Sequence, residues 1–187
     1  MNYKILGLLA LVLTALVALP AVAQATTVTS PTGTSLTGQN EALSEGHIVF
    51  ANPIAKIECN ARMAGTIESH GSGVTAKGPV NELVFTSCTN GWHVTTVTTG
   101  TLEAHYTSGY NATITSSGST TVTTRFGVTC NYITNSTDIG TATGGNPTTM
   151  HIAASIPIHV GSSGLCGSGS IKMEGTYEGK GSAYYDA

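Results

Sequence analysis

From Ser119 to Tyr132 the chain alternates. Val122, Thr124, Phe126, Val128, Cys130 and Tyr132 fall on one side, and Thr121, Thr123, Arg125, Gly127, Thr129 and Asn131 on the other. A helix would repeat its apolar positions at three and four; a period of two in β-branched types reads as one long half-buried strand. The same alternation places Ile57, Cys59, Ala61 and Met63 opposite Lys56, Glu58, Asn60 and Arg62. It returns at Met150, Ile152, Ala154, Ile156, Ile158 and Val160, and at Ile171, Met173, Gly175 and Tyr177. Val80–Cys88 is apolar on both sides and reads as a central strand. Trp92–Thr98 and Leu102–Tyr106 read as two strands about a tight connection at Thr99-Gly100. Tyr110–Thr115 reads as a further short strand, joined to the long one by Ser116-Ser117-Gly118. Thr134–Gly145 carries no strand in this reading. Short strands between Gly-rich turns predict one all-β domain, an antiparallel β-sandwich or open barrel.

The amino-terminal segment stands apart. Lys4 precedes an unbroken apolar run from Ile5 to Leu19, then Pro20 and the small-x-small triplets Ala21-Val22-Ala23 and Ala23-Gln24-Ala25. The run is short of the ~20 residues a membrane span needs, and the pattern is that of a signal peptide. Residues 1–25 are therefore set aside, with cleavage expected after Ala23 or Ala25 and no membrane span thereafter. The expected localisation is secreted, periplasmic or cell surface. Residues 26–45 lack a strong period and read as a lead-in segment or stalk before a domain over 46–187. Charged residues make up only 9% of the chain, so threonine hydroxyls must hydrate the outer strand faces. The formal charge of −3 becomes −4 without Lys4, which gives no electrostatic footprint for nucleic acid.

Four cysteines, Cys59, Cys88, Cys130 and Cys166, in an exported chain point to two disulfides, and no C-x-x-C pair suggests zinc. Cys59 is followed by an apolar strand, Cys88 and then Gly100-Thr101-Leu102-Glu103. Cys130 is followed by an apolar strand, Cys166 and then Gly175-Thr176-Tyr177-Glu178. The halves read as a degenerate internal repeat, each closing its own loop, which favours Cys59–Cys88 and Cys130–Cys166 over the two other connectivities. Loops of this size stabilise by about 3.5 to 4 kcal/mol each in the chain-entropy model.

Catalytic signatures are missing. No G-x-S-x-G elbow occurs, and beyond residue 25 the only aspartates are Asp138 and Asp186, with scattered glutamates that form no obvious pair for glycoside cleavage. No cofactor motif is found. A hairpin at Thr99 would set His93 opposite His105 within reach of one ion, but two imidazoles are an incomplete ligand set. Trp92, Tyr106 and Tyr110 are the candidate binding residues, an aromatic patch suited to stacking on sugars or apolar ligands. Trp92 follows the turn dipeptide Asn90-Gly91, near a strand end where β-domains display contact residues.

The opening Thr-Val-Thr-Ser-Pro-Thr-Gly, with Ile-Glu-Cys-Asn-Ala and Gly-Thr-Ile, resembles small secreted bacterial Thr/Gly-rich β-proteins, including protein activators of alkane oxidation. Gly127-Val128-Thr129-Cys130-Asn131-Tyr132 and Thr143-Gly144-Gly145-Asn146-Pro147 are similar to segments of secreted actinobacterial proteins. The resemblance implies an extracellular helper acting at cell-surface or hydrocarbon interfaces. The expectation is an exported, non-enzymatic binding or structural protein with an extracellular or cell-surface ligand. The alternatives are a polymerising pilin-like subunit, with residues 26–46 as donor strand, and a secreted hydrolase.

Overall fold

The computed structural model describes residues 26–40, 44–52, 55–68, 75–166 and 169–187. The expected signal segment lies outside them. The described strands are β1 (Thr27–Thr29), β2 (Gln39–Asn40), β3 (Ser44–Ala51), β4 (Lys56–Ile67), β5 (Ala76–Thr86) and β6 (His93–Ser108). They continue with β7 (Asn111–Thr123), β8 (Thr129–Thr143), β9 (Thr149–Pro157), β10 (Ser170–Gly179) and β11 (Tyr184–Asp186). From β3 to β10 each strand pairs antiparallel with the next in sequence, and β10 returns to β3 from Lys172↔Ala51 to Gly179↔Ser44. The result is a closed eight-stranded barrel. Neither a sandwich nor an open barrel forms, because the β3–β10 ladder satisfies the two edges that an open sheet would leave unpaired.

Alternation carries through to burial. Ile57, Cys59 and Ala61 of β4, Ile152, Ala154 and Ile156 of β9, and Ile171 and Tyr177 of β10 are buried in one core. Lys56, Asn60 and Arg62 of β4, and Lys172, Glu174, Thr176 and Glu178 of β10, face outward and are exposed.

The long hairpins differ from the sequence reading. The stretch Ser119–Tyr132 is two strands about a turn, with Val122 opposite Cys130. The Thr124 N–H donates to the Val128 carbonyl at 2.9 Å, and the Thr124 hydroxyl accepts from the N–H groups of Phe126 and Val128. That serine/threonine-type turn needs no proline, and Gly127 takes φ +80° within it. Conversely, Thr99-Gly100 is no hairpin. β6 runs straight through it for 16 residues, because Gly100 at φ +71° forms a bulge in which the β6 pairings step from Thr98 to Thr101 while β7 steps only from Ser119 to Ser117. Ser116-Ser117-Gly118 lies inside β7, and β8 extends through Thr134–Thr143. Val80–Cys88 is less buried than its composition predicts, with Val84 41% exposed.

Both disulfides pair as the repeat predicts, Cys59–Cys88 and Cys130–Cys166. Cys59 on β4 and Cys130 on β8 stand four strands apart in the eight-strand ring, and each is tied to the segment after the following strand. Gly100–Glu103 on β6 and Gly175–Glu178 on β10 are likewise four strands apart.

Thr26–Asn40 is docked rather than free. β1 pairs with β11 across the barrel end opposite the disulfides, and β2 adds to the far end of β4. Val28 is buried, the Thr26 hydroxyl accepts from the Tyr106 N–H at 2.7 Å, and the Thr29 hydroxyl donates to Asp186 Oδ2 at 2.6 Å.

Candidate functional site

The middle of the barrel is filled. Ile48, Ile57, Cys59, Val122 and Ile152 are almost wholly inaccessible, as expected where eight strands leave room for little more than side chains. Toward each end the ring of side chains parts and leaves an apolar cup.

The disulfide-stapled end holds a cup of about 540 Å³. Ile57, Val122, Tyr132 and Ile171 form its floor, the Cys130–Cys166 crosslink one wall, and Trp92, Phe126 and Leu165 its rim. The local fold explains the rim. Asn90 (φ 59°) and Gly91 (φ +68°) turn the chain after Cys88, so that Trp92 enters β6 partly buried against the core. Phe126 sits at the tip of the β7–β8 hairpin, 79% exposed, and Leu165 beside Cys166 is 73% exposed. Large side chains this open to water cost free energy unless something covers them in use. The Arg125 guanidinium lies 4.6 Å over the Phe126 ring and has no ion-pair partner among the described residues. Lys56, also at this cup, is paired at 2.7 Å with Glu58. That hydrogen bond holds the Glu58 carboxyl below and the Lys56 ammonium above their ordinary values.

The opposite end holds a cup of about 420 Å³, with Met63, Ile67, Leu102, Ile114, Met150 and Tyr177 below and Val28, Leu36 and Tyr185 across its mouth.

The predicted binding residues are not brought together. Trp92 is at the stapled end. Tyr106 and Tyr110 are at the other, on the order of 40 Å further along the β6–β7 hairpin, where Tyr110 meets Tyr184 edge to face at 4.9 Å. His93 and His105 share strand β6 instead of facing each other across a hairpin. His105 Nε2 lies 3.4 Å from the Thr115 hydroxyl and 3.9 Å from Glu103. Among the described residues no three His, Cys, Asp or Glu side chains cluster as a metal site would require. Phe126 was hidden in the sequence by its place in an unbroken alternation; Gly127 directly after it was the available turn signal. Leu165 and Tyr185 carried no signal, because the Cys130–Cys166 crosslink beside the first and the pairing of β11 with β1 at the second place them. No protein-family model, curated protein or solved structure matches the chain.

Proposed function

We propose that the protein is an exported, non-enzymatic binding protein whose stapled-end cup takes a flat apolar molecule bearing an acidic group. The observation that carries this reading is the rim: Trp92, Phe126 and Leu165 around an apolar hollow, with one unpaired cation, Arg125, at its edge. An aromatic wall stacks on a flat apolar face and the guanidinium pairs with an anion. The Cys130–Cys166 disulfide braces a wall of this cup, and the two disulfides suit an oxidising compartment outside the cytoplasm. The outer barrel face is polar, threonine and serine with scattered charges, and the inside apolar, the reverse of a membrane-spanning barrel. An extracellular role at apolar interfaces agrees with such a cup. The pilin-like alternative needs a free donor strand, whereas Thr27–Thr29 is already paired with β11. Against hydrolysis, Glu58 and Glu45 are held ionised on the outer face by Lys56 and Lys180.

Anilinonaphthalene sulfonate combines the two chemistries and serves as probe. It should bind the folded protein, protect Trp92 fluorescence from iodide, and bind at least about thirtyfold more weakly to Trp92→Ala, the loss expected of an aromatic hot spot. Arg125→Ala, on an exposed hairpin tip, should weaken it without changing stability. Unchanged binding in both variants would refute the assignment.

A further inference from the structure

We infer that the opposite cup is a second, independent site, and that it selects a neutral apolar molecule carrying a hydrogen-bond acceptor, read by the phenols of Tyr177 and Tyr185. The cavity of about 420 Å³ falls within the range of small-molecule sites, and most of its lining surface is apolar. Two polar groups stand out in it. Among the described residues neither the Tyr177 nor the Tyr185 hydroxyl has a protein hydrogen-bond partner, yet no buried side-chain oxygen is both sealed and unsatisfied. Both hydroxyls therefore open onto accessible space. For Tyr177, only 5% exposed, the accessible space is the cup it lines. Of the other polar groups, the Thr148 hydroxyl accepts from the Ala183 N–H and donates to the Ala183 carbonyl, and Lys180 pairs with Glu45, while the exposed Lys77 stands opposite Glu68 at an antiparallel bridge, so that the two add no net charge.

The backbone places Tyr177. It is registered against Gly46 on β3, and a methyl group at Gly46 would come within 3.1 Å of the Tyr177 ring. The ring lies across the gap that the missing side chain leaves, an arrangement known to stabilise glycine in sheets. Tyr185 comes from the other direction, on β11, held by its pairing with Val28 of β1.

Charge decides the ligand class. Burial raises both phenols, Tyr185 to about 12 and Tyr177 further, so both are neutral donors at any physiological pH. A carboxylate entering this cup would lose its hydration against two phenols; among the described lining residues Lys77 is exposed to water opposite the oppositely charged Glu68, and no buried cation offsets the loss, a costly exchange. A ketone, ester or ether oxygen loses far less and gains two donors. The occupant is thus a compact uncharged molecule with one or two such oxygens.

Camphor, a compact ketone, and bornane, the same skeleton without the oxygen, test this. Beyond residue 25 the methionines are Met63, Met150 and Met173, and only the first two line the cup. With the methionine methyls labelled for NMR, camphor should shift Met63 and Met150 and leave Met173 in place. Tyr177→Phe and Tyr185→Phe should each weaken camphor about five- to tenfold, one net hydrogen bond apiece, and leave bornane unchanged. Trp92→Ala should not alter camphor binding, which separates this site from the stapled-end cup. The inference is overturned if camphor at its solubility limit leaves the Met63 and Met150 methyls unmoved. It is equally overturned if both phenylalanine variants, folded by their methyl spectra, bind camphor like the parent.

Discussion

Gly100 is the bulge residue that lets β6 stay paired with β7, and Gly100→Ala tests that claim against a built-in control. Gly100 has φ +71°, and a β-carbon there would sit 1.5 Å from the Ser117 carbonyl oxygen and 2.8 Å from the Gly118 Cα. Gly127 has nearly the same backbone, φ +80°, with nothing within 4 Å of the added carbon. Each alanine incurs the left-handed penalty of roughly 1–2 kcal/mol. At Gly127 that is the whole cost. At Gly100 the β-carbon needs about 3.3 Å from a carbonyl oxygen, so the two strands must part by nearly 2 Å between the Thr98↔Ser119 and Thr101↔Ser117 pairs. Losing about two ladder hydrogen bonds there, at about 1 kcal/mol each, brings the expected total to roughly 3–4 kcal/mol. Urea unfolding followed by far-ultraviolet circular dichroism gives both values. Equal destabilisation by the two alanines would show that φ alone matters, and that the close packing of β6 on β7 at Gly100 is not a constraint.

The disulfides close separations of 29 and 36 residues, worth about 3.6 and about 3.8 kcal/mol in the chain-entropy model. Replacing Cys130 and Cys166 together by alanine should therefore lower stability by several kcal/mol in denaturant titration, and a loss below about 1 kcal/mol would refute it. Burial raises Tyr185 to about 12 and Tyr177 in the same direction, so the folded state holds protons that the unfolded chain releases near its ordinary pKa of about 10. Stability should be intact below about pH 10 and then fall toward about pH 12, by up to roughly 1.4 kcal/mol per pH unit for each tyrosine; urea midpoints that stay level through that window would contradict the burial of both phenols.

The alternation of Ile57, Cys59 and Ala61, or of Ile152, Ala154 and Ile156, was legible in the sequence because a strand turns each successive side chain to the opposite face. Which residues are core is therefore a local property. The disulfide pairing was legible for a related reason, since reading the chain as two repeated halves puts the cysteines at matching points, and the structure sets Cys59 and Cys130 four strands apart. Thr124-Arg125-Phe126-Gly127 and Thr99-Gly100 were not. The first alternates like a strand and turns; the second carries a turn signal and continues as a strand. In both, the outcome depends on which partner offers hydrogen bonds: Val128 for Thr124 within the turn, and β7 for both sides of the Gly100 bulge. Closure lay further out of reach. The ladder from Lys172↔Ala51 to Gly179↔Ser44 joins strands at opposite ends of the barrel sequence, and no local pattern distinguishes an edge that will be paired from one that will stay open. The cups exist only because the ring closes. Trp92 could be singled out from its turn and its chemistry, but its neighbours Phe126, Leu165 and Tyr132 at one cup, and the presence of both Tyr177 and Tyr185 at the other, were fixed by strand order around the barrel, the Cys130–Cys166 crosslink and the β1–β11 pairing.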